Sequence, residues 1–380
     1  MDFDFSDDQA LLRDAVRRWV DKGFSFERRH ALAKAGGKTR AVYGELAALG
    51  LVGLAVPEAH GGMGLGPVDA MVVMEELGRG LVNAPYAQGA LIAPALLSVA
   101  PPDLQAAWLP KIADASALVV LAHQERGARY HLHRVATRAM PAGSGWTIDG
   151  AKSVVAAGDE ADAFIVPART DAAVGSDGPP EGIALFLVER RAAGVAVRGY
   201  PTQDGARAAE VVFTAAKAAL ISSDGLALLE HAQDIGIAAA CAEGVGLMEQ
   251  LLAITALYMN TRKQFGVAIA SFQALRHRIA DVKMQLELAR SMSYFATLKL
   301  GEEPAARRRA LSQAKVQLGR SMRFVGQQCV QLHGGIGVTD EYIASHYFKR
   351  LTVLEMSFGD TLHHLGEVSA RMQDTAGVFA

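Results

Sequence analysis

The chain has 380 residues, of which 51% are hydrophobic and 21% are charged. This length exceeds what one simple core accommodates, so we expect two or three domains, and the apolar surplus predicts an oligomer interface. A net charge of −2 gives no basic field for nucleic acid, so that class of partner is not expected.

The two cysteines and the N-terminal segment indicate the cellular compartment in which the protein is expected. Cys241 and Cys329 both stand in helical, apolar contexts, which predicts packed core residues and supports neither a disulfide framework nor a metal site. The acidic segment MDFDFSDDQ leads directly into a helix, which argues against a signal or transit peptide. In the sequence pattern no apolar run approaches membrane-spanning length. We therefore expect a soluble, cytoplasmic protein with no membrane partner.

The first third of the chain reads as helical. Ser6 and Gln9 have capping-box spacing before an amphipathic run, and further helices are predicted over 42–49, 67–81 and 85–98. The glycine-rich segment 61–66 does not follow a strand and lacks both G-x-G-x-x-G and a P-loop lysine. It therefore predicts a structural turn, and a dinucleotide fold of the Rossmann type is not expected.

From about Ser116 the pattern changes to short β-rich runs, bounded by turn signals such as Asp149-Gly150 and Asp177-Gly-Pro-Pro180. This is typical of an antiparallel barrel or sandwich. The predicted strands are 118–121, 146–148, 153–155, 163–166, 183–188, 194–197 and 210–213. Helical periodicity returns at Gly225. The predicted architecture is an N-terminal all-α domain (1–115), a middle antiparallel β domain (116–222) and a C-terminal α-helical bundle of four-helix type (223–380).

The stretch 258–279 joins two predicted helices through a loop that presents Arg262, Gln264 and Phe265, with Gly266 predicted to end the first helix. A cation, an amide and an aromatic ring exposed together suit a flat, phosphorylated ligand. The alternative interpretation is that Arg262 and Lys263 are ordinary charges at a helix end.

Three motifs occur in order along the chain. The first spans 49–79 and includes Val56-Pro57 and Glu75-Glu76-Leu-Gly-Arg, the second is Arg262-x-Gln-Phe-Gly with its flanks, and the third is Gln331-Leu-His-Gly-Gly-Ile-Gly. Together they resemble the acyl-CoA dehydrogenase family, oxidoreductases of fatty acid metabolism that oxidise acyl-CoA thioesters with bound FAD. Segments 200–205 and 346–351 are similar to the small subunit of bacterial pimeloyl-CoA dehydrogenase.

The resemblance implies FAD as cofactor, with its isoalloxazine ring between the β domain and the C-terminal helices and its adenosine end crossing to a neighbouring subunit. The C-terminal residues implied to contact FAD are Arg262, Gln264, Phe265, Gln331, Gly334, Gly335, Thr361 and His363. In the β domain, the family's Trp and Thr that cover the flavin ring are absent, because Lys-Trp-Ile-Thr is here Lys152-Ser-Val-Val155. Backbone N–H groups near His123, Gln124 and Val155 remain available contacts, since they do not depend on side-chain identity. No metal is implied.

The family's catalytic base is not at either of its usual positions. Where relatives read Tyr-Glu-Gly-Thr, this chain reads Phe358-Gly359-Asp360-Thr361, and the second usual position falls at Gly236 and Ile237. Desaturation needs a base for the α-proton. Asp360 is a displaced base candidate beside Gly359, although an N-terminal cap of the following helix explains the same residue.

Two further hypotheses explain the missing base. The chain is either one subunit of a heteromer whose partner holds the glutamate, or a flavoprotein or scaffold without acyl-CoA chemistry. Arg126 and Arg129 are candidates for a substrate carboxylate or CoA phosphate, or are solvated surface charges, and Gly359, at the position of the family's glutamate, is a further candidate substrate contact. The partners implied are an acyl-CoA, an electron-transfer flavoprotein, and either a homotetramer or a heteromer with a large acyl-CoA dehydrogenase subunit. An oxidase that uses dioxygen is a third possibility.

Overall fold

The structure is a computed structural model that describes residues 5–143, 145–170 and 181–372. The predicted turn at 177–180 and the end of the predicted C-terminal domain, 373–380, lie outside the described residues. The chain forms two compact units. The first unit comprises Met1–His30, Pro67–Val82 and Ile237–Ala380, and the second comprises Ala31–Gly66 and Asn83–Gly236.

Helices precede and follow a β region, in the predicted order. The N-terminal helices are α1 Asp7–Gly23, α2 Phe26–Lys34, α3 Arg40–Ala48, α4 Pro67–Arg79, α5 Ala93–Leu97 and α6 Pro102–Ala113, with a π-helical turn Ala87–Ile92 before α5. The C-terminal helices are α7 Gly225–Thr261, α8 Gln273–Leu298, α9 Pro304–His333, α10 Ile343–Met356 and α11 Thr361–Ala370. The predicted capping box is confirmed, because Ser6 and Gln9 exchange side-chain and backbone hydrogen bonds at the start of α1.

The β region forms one sheet. Its strands are β1 Val119–Leu121, β2 Arg138–Ala142, β3 Gly145–Ala156, β4 Ala163–Arg169, β5 Ile183–Glu189, β6 Val195–Pro201 and β7 Arg207–Ser222. Pairings run β4-β2-β3-β7-β5 and return to β4, which closes a ring, while β1 pairs with β4 and β6 with β7. The pairings are antiparallel except for β1 with β4 and a single residue pair between β2 and β4.

The predicted turn at Asp149-Gly150 is wrong. The two runs it was expected to separate form the continuous strand β3, and both pair with β7. The register shifts between Ile148 and Gly150, so the turn-forming residues make a β-bulge. Glycine is needed there because a Cβ atom on Gly150 would lie 2.7 Å from Thr137 Oγ1.

The core of the first unit is built by α7 to α10 with Leu81, and it includes both cysteines, which are buried and free as predicted. Helix α7 corrects one expectation, because by length and composition it could cross a membrane. Its most apolar window is 72% buried within the protein, as in a core helix. Dispersed charges such as Asp234 and Glu243 hide this hydropathy from a search for uninterrupted runs.

Helices α4 and α7 touch backbone to backbone through glycine. A Cβ atom on Gly246 of α7 would lie 1.9 Å from the carbonyl oxygen of Glu75, and one on Gly78 of α4 would lie 2.2 Å from that of Glu243. No side-chain rotamer relieves a clash with backbone, so the two helices would have to separate.

Gly246→Ala is therefore expected to lower the free energy of unfolding by ~1–3 kcal/mol or more through overpacking. The matched control is Gly44→Ala on α3, where nothing lies within 4 Å of the added Cβ atom, and there we expect a gain of ~0.5–1 kcal/mol. Urea unfolding followed by circular dichroism measures both. Equal effects of the two substitutions would contradict the close packing.

Candidate cofactor and substrate site

The Arg262-x-Gln-Phe-Gly motif forms a two-residue β-hairpin. Strand β8 Lys263–Gln264 pairs with β9 Val267–Ala268, and the two turn residues have positive φ, 52° for Phe265 and 81° for Gly266. These are the conformations of a type I′ turn. Gly266 was predicted to end the helix, and this is wrong because α7 already ends at Thr261. Gly266 is the second turn residue of the hairpin.

The hairpin presents its side chains to solvent. Arg262, Lys263 and Gln264 are exposed, and Phe265 at the tip is 92% exposed. The Phe265 ring meets the Phe272 ring edge to face, with centroids 6.1 Å apart, but its left-handed backbone conformation and its exposure to water are both unfavourable for a large aromatic residue. Residues 258–280 contain four arginines or lysines and no acidic residue, so the hairpin lies in a locally positive segment.

The Gly-Gly motif follows directly on α9. Gly334 has φ 63° and ψ −143°, a conformation open only to glycine. Nothing lies within 4 Å of a Cβ atom on either Gly334 or Gly335, so a ligand can approach this backbone closely. Gln331, one turn earlier, is exposed.

The His333 side chain connects the segment that carries the hairpin with the segment that carries the Gly-Gly loop. Its Nδ1 lies 2.8 Å from the Cys329 carbonyl oxygen and must donate, so Nε2 accepts from the Tyr342 hydroxyl at 3.3 Å. The Tyr258 ring lies 4.6 Å from the His333 ring. Burial lowers the pKa of His333. This histidine is in the motif, but its linking contacts with Tyr258 and Tyr342 were not predicted.

The loop between α10 and α11 carries the position where the family's base was expected. Gly359 has φ 105° and is buried. A Cβ atom there would lie 2.6 Å from both His363 Cδ2 and His364 Nε2. A glutamate at this position would strain the backbone and would displace two imidazole rings, of which that of His364 is buried and hydrogen-bonded at both nitrogens.

Asp360 is the N-cap of α11. Its Oδ1 accepts from the backbone N–H of His363 at 2.8 Å, so the capping interpretation is confirmed. The role of Asp360 as a base stays a prediction.

Thr361 and His363, the other implied FAD contacts in this region, differ in exposure. Thr361 is buried, and its hydroxyl and backbone N–H both donate to Glu355 Oε1, at 2.6 and 3.1 Å. Arg323 donates to the same oxygen at 3.1 Å. A phosphate oxygen could therefore bind the Thr361 hydroxyl only by replacing Glu355. His363 is half-buried.

In the second unit, His123 and Gln124 lie in the loop that follows β1, and Val155 lies near the end of β3. The Gln124 carbonyl accepts from Ser153 N at 2.8 Å, and Val155 is buried and pairs with Ala209. Val154, which lies between Ser153 and Val155, has φ 54° and stands where the register of the β3–β7 pairing shifts. Burial lowers the pKa of His123 to about 4, assisted by the nearby Lys152 cation, so this imidazole is neutral at physiological pH.

A buried ion pair that was not predicted holds these segments together. Lys152 is fully buried, and its Nζ lies 2.7 Å from Glu125 Oε1. Glu125 also accepts from the Thr137 hydroxyl at 2.7 Å and from Ala136 N at 2.7 Å. Lys152 lies next to Ser153, which stands where the family has the Trp that covers the flavin. The ion pair therefore fixes this part of β3, although the Trp ring is absent.

The two candidate substrate arginines lie on the surface. The Arg126 side chain is 81% exposed, with its guanidinium 3.5 Å from Glu210 Oε2. Arg129 is exposed, and its guanidinium lies 5.2 Å from the Tyr130 ring centroid. Both are placed to meet an anion from solvent, and both positions are equally compatible with solvated surface charges.

Among the described residues, one group has the composition of a metal site, His30, Asp340 and His346. The Arg29 guanidinium, which can only donate, lies 2.8 Å from His346 Nδ1. Nε2 therefore carries the proton and donates to the Asp340 carbonyl at 2.8 Å. Metal-binding histidines need the opposite arrangement, with an acceptor behind the ring, so this donor set does not fit a cation.

The buried His364 makes stability depend on pH. Its Nε2 donates to the Phe358 carbonyl at 2.9 Å and its Nδ1 accepts from the Ser312 hydroxyl at 3.1 Å. Burial, with the Lys315 cation next in importance, lowers the pKa of His364 to about 3. A lowered pKa in the folded state means that the unfolded state binds the proton first, so stability is lost as pH falls from about 6.5 towards 3.

We expect the difference in unfolding free energy between the wild type and His364→Asn to shrink on the order of 2 kcal/mol between pH 7.5 and 4.5. Urea unfolding across that range measures it. Ser312→Ala, which keeps the buried imidazole, is the matched control and should retain the wild-type slope. Parallel curves for the wild type and His364→Asn would contradict the argument.

The chain matches the three domain families of acyl-CoA dehydrogenases in order. Residues 6–116 match the acyl-CoA dehydrogenase N-terminal domain, 121–216 the middle domain and 223–373 the C-terminal domain. Acyl-CoA dehydrogenase FadE27 of Mycobacterium tuberculosis is 27% identical over 346 residues, which are 88% of this chain and 89% of that protein.

Solved structures give the same result. The ChsE4-ChsE5 complex of Mycobacterium tuberculosis contains a chain with 26% identity and a TM-score of 0.86, over 99% of this chain and 100% of that one. A structure described as the electron transferring flavoprotein of Acidaminococcus fermentans has 25% identity and a TM-score of 0.89, over 98% and 99%. With FAD as the family's cofactor, and with all three of its domains present in order, this chain belongs to the acyl-CoA dehydrogenase family.

Proposed function

We propose that the chain takes part in the FAD-dependent α,β-dehydrogenation of an acyl-CoA thioester as one subunit of a heteromer, and that a paralogous large subunit supplies the base. The observation that carries this proposal is the Gly359 loop. The position of the family's base has no carboxylate, and a side chain there would have to displace two imidazole rings, while the motif residues implied to hold FAD are present.

The exposed hairpin and the Gly-Gly loop fit FAD. Arg262 would pair with the diphosphate through its guanidinium fork, and the Gly334 and Gly335 backbone would allow a close approach of the cofactor. The other residues that we assign to FAD are Gln264, Phe265, Gln331, Thr361 and His363, with backbone groups of His123, Gln124 and Val155 towards the ring. When bound, FAD would accept a hydride from the substrate β-carbon, and we propose an electron-transfer flavoprotein as the next acceptor.

The exposed apolar side chains of the first unit support an oligomer. These include Leu257, Phe265, Met284, Leu288 and Leu362, each at least 45% exposed. Contiguous exposed apolar surface marks association sites, and Met284 and Leu288 stand one turn apart on α8. We propose a dimer of dimers, and the complex named in the ChsE4-ChsE5 structure is a related precedent for two different chains.

A dicarboxylyl-CoA such as pimeloyl-CoA is the substrate class that we propose. Support comes from the similarity of 200–205 and 346–351 to pimeloyl-CoA dehydrogenase small subunits, and from Arg126 and Arg129 in the loop after β1. Arg126 would exchange its long contact with Glu210 for the distal carboxylate of the substrate.

The alternative is a chain that dehydrogenates by itself, with Asp360 as the base. Anaerobic titration with pimeloyl-CoA and a straight-chain acyl-CoA, following flavin absorbance, separates the two. We expect the FAD-reconstituted chain alone to stay oxidised, and the complex copurified with a glutamate-bearing relative to bleach. Bleaching of the isolated chain would refute the division of roles, and hydrogen peroxide formation in air would indicate an oxidase.

Arg262→Met is expected to weaken FAD binding roughly 10- to 100-fold, since a hydrogen bond to a charged group contributes about 1.5–3 kcal/mol. Fluorescence titration of the flavin measures the dissociation constant in the assembled protein. Lys263→Met removes an adjacent exposed charge and is the matched control, with an expected change of less than threefold. Equal losses would indicate a general positive field instead of a specific contact.

A further inference from the structure

Lys315 is a buried cation in the first unit to which the proposed chemistry gives no role. It lies on α9 and is 1% exposed. Its Nζ donates to three carbonyl oxygens, those of Leu354 at 3.0 Å, Glu355 at 2.8 Å and Gly359 at 2.9 Å. An ammonium group has three N–H donors, so each has one acceptor.

The three acceptors belong to two segments, the last turn of α10 and the loop that follows it. Leu354 and Glu355 are in the last turn of α10, where carbonyl groups lack partners within the helix and the helix dipole favours a cation. Gly359 lies in the following loop, 357–360. Lys315 therefore ties the loop to the end of the helix that precedes it.

The same loop has two further anchors. The Phe358 carbonyl accepts from His364 Nε2 at 2.9 Å, and the Asp360 carboxylate accepts from His363 N at 2.8 Å. Three successive residues, 358, 359 and 360, are thus each held by a hydrogen bond. At residue 359, which has no side chain to pack, the bond from Lys315 is the one that sets the position of the backbone.

Burial of the Lys315 ammonium group costs solvation free energy, and its three hydrogen bonds offset that cost. Desolvation lowers the pKa of Lys315 to about 8, so the group is still mostly protonated at neutral pH and can use all three donors. A methionine would fill the same volume at this position without any donor. Buried lysines are rare unless such a requirement exists.

We infer that Lys315 is a positioning residue, which fixes the backbone of loop 357–360 against the end of α10 and so sets the wall that this loop presents to the acyl part of the thioester. The role of this loop towards a thioester rests on the proposed function, whereas the positioning of the loop does not.

The test compares Lys315→Met with Arg320→Met, which removes an exposed cation from the same helix. Hydrogen exchange of the FAD-reconstituted full chain measures the protection of amides 358–361. We expect protection to fall at least tenfold in Lys315→Met, with the amides of α7 and α8 unchanged, and to stay at the wild-type level in Arg320→Met. Wild-type protection in Lys315→Met, or an equal loss throughout the first unit, would overturn the inference.

A second readout separates positioning from stability. In the assembled complex, Lys315→Met should weaken acyl-CoA binding at least fivefold, measured by the perturbation of the flavin spectrum, and leave the FAD dissociation constant unchanged. Equal weakening of both ligands would indicate a structural role only. If Lys315→Met does not fold, Lys315→Gln, whose amide keeps two N–H donors, is read by the same criteria. Failure of the wild type to bind any acyl-CoA would refute the proposed function, while the exchange data would still decide the role of Lys315.

Discussion

The backbone contact between α4 and α7 is the constraint on which the first unit depends. Gly78 and Gly246 bring the helices close enough that added Cβ atoms would overlap backbone atoms. Helix α7 then carries the hairpin at its end, α9 carries the Gly-Gly loop, and α10 and α11 flank the Gly359 loop. Because α7, α9 and α10 share one core, the three candidate segments are held on rigid supports.

Buried polar groups then determine the local shape of each segment. Lys315, His333 and His364 are all buried, and each uses its ring or ammonium donors on backbone carbonyl groups. A buried polar group without such a partner would cost several kilocalories per mole. Each of these side chains can keep its hydrogen bonds only while the backbone that it contacts stays in place. Their contacts therefore explain why the loops keep defined conformations outside regular helices.

The Gly359 loop connects this local structure with the division of roles that we propose. Two imidazole rings occupy the space that a side chain at residue 359 would need, and Asp360 caps a helix. In the division of roles that we propose, a glutamate introduced at residue 359 by one substitution would meet both a positive φ and the two imidazole rings. The hairpin and the Gly-Gly segment, by contrast, lie at the ends of α7 and α9.

The sequence by itself determined the family, the helix–β–helix order and the capping box, because these follow from local periodicity and from motifs contiguous in the chain. It did not determine that Asp149-Gly150 forms a bulge or that Gly266 belongs to a hairpin, since the same residues favour several turns and pairing with a distant strand decides among them. Only the tertiary structure placed Lys315 against Gly359 and Lys152 against Glu125. Those contacts join residues 44 and 27 positions apart, and no local pattern records which buried group will meet which carbonyl or carboxylate.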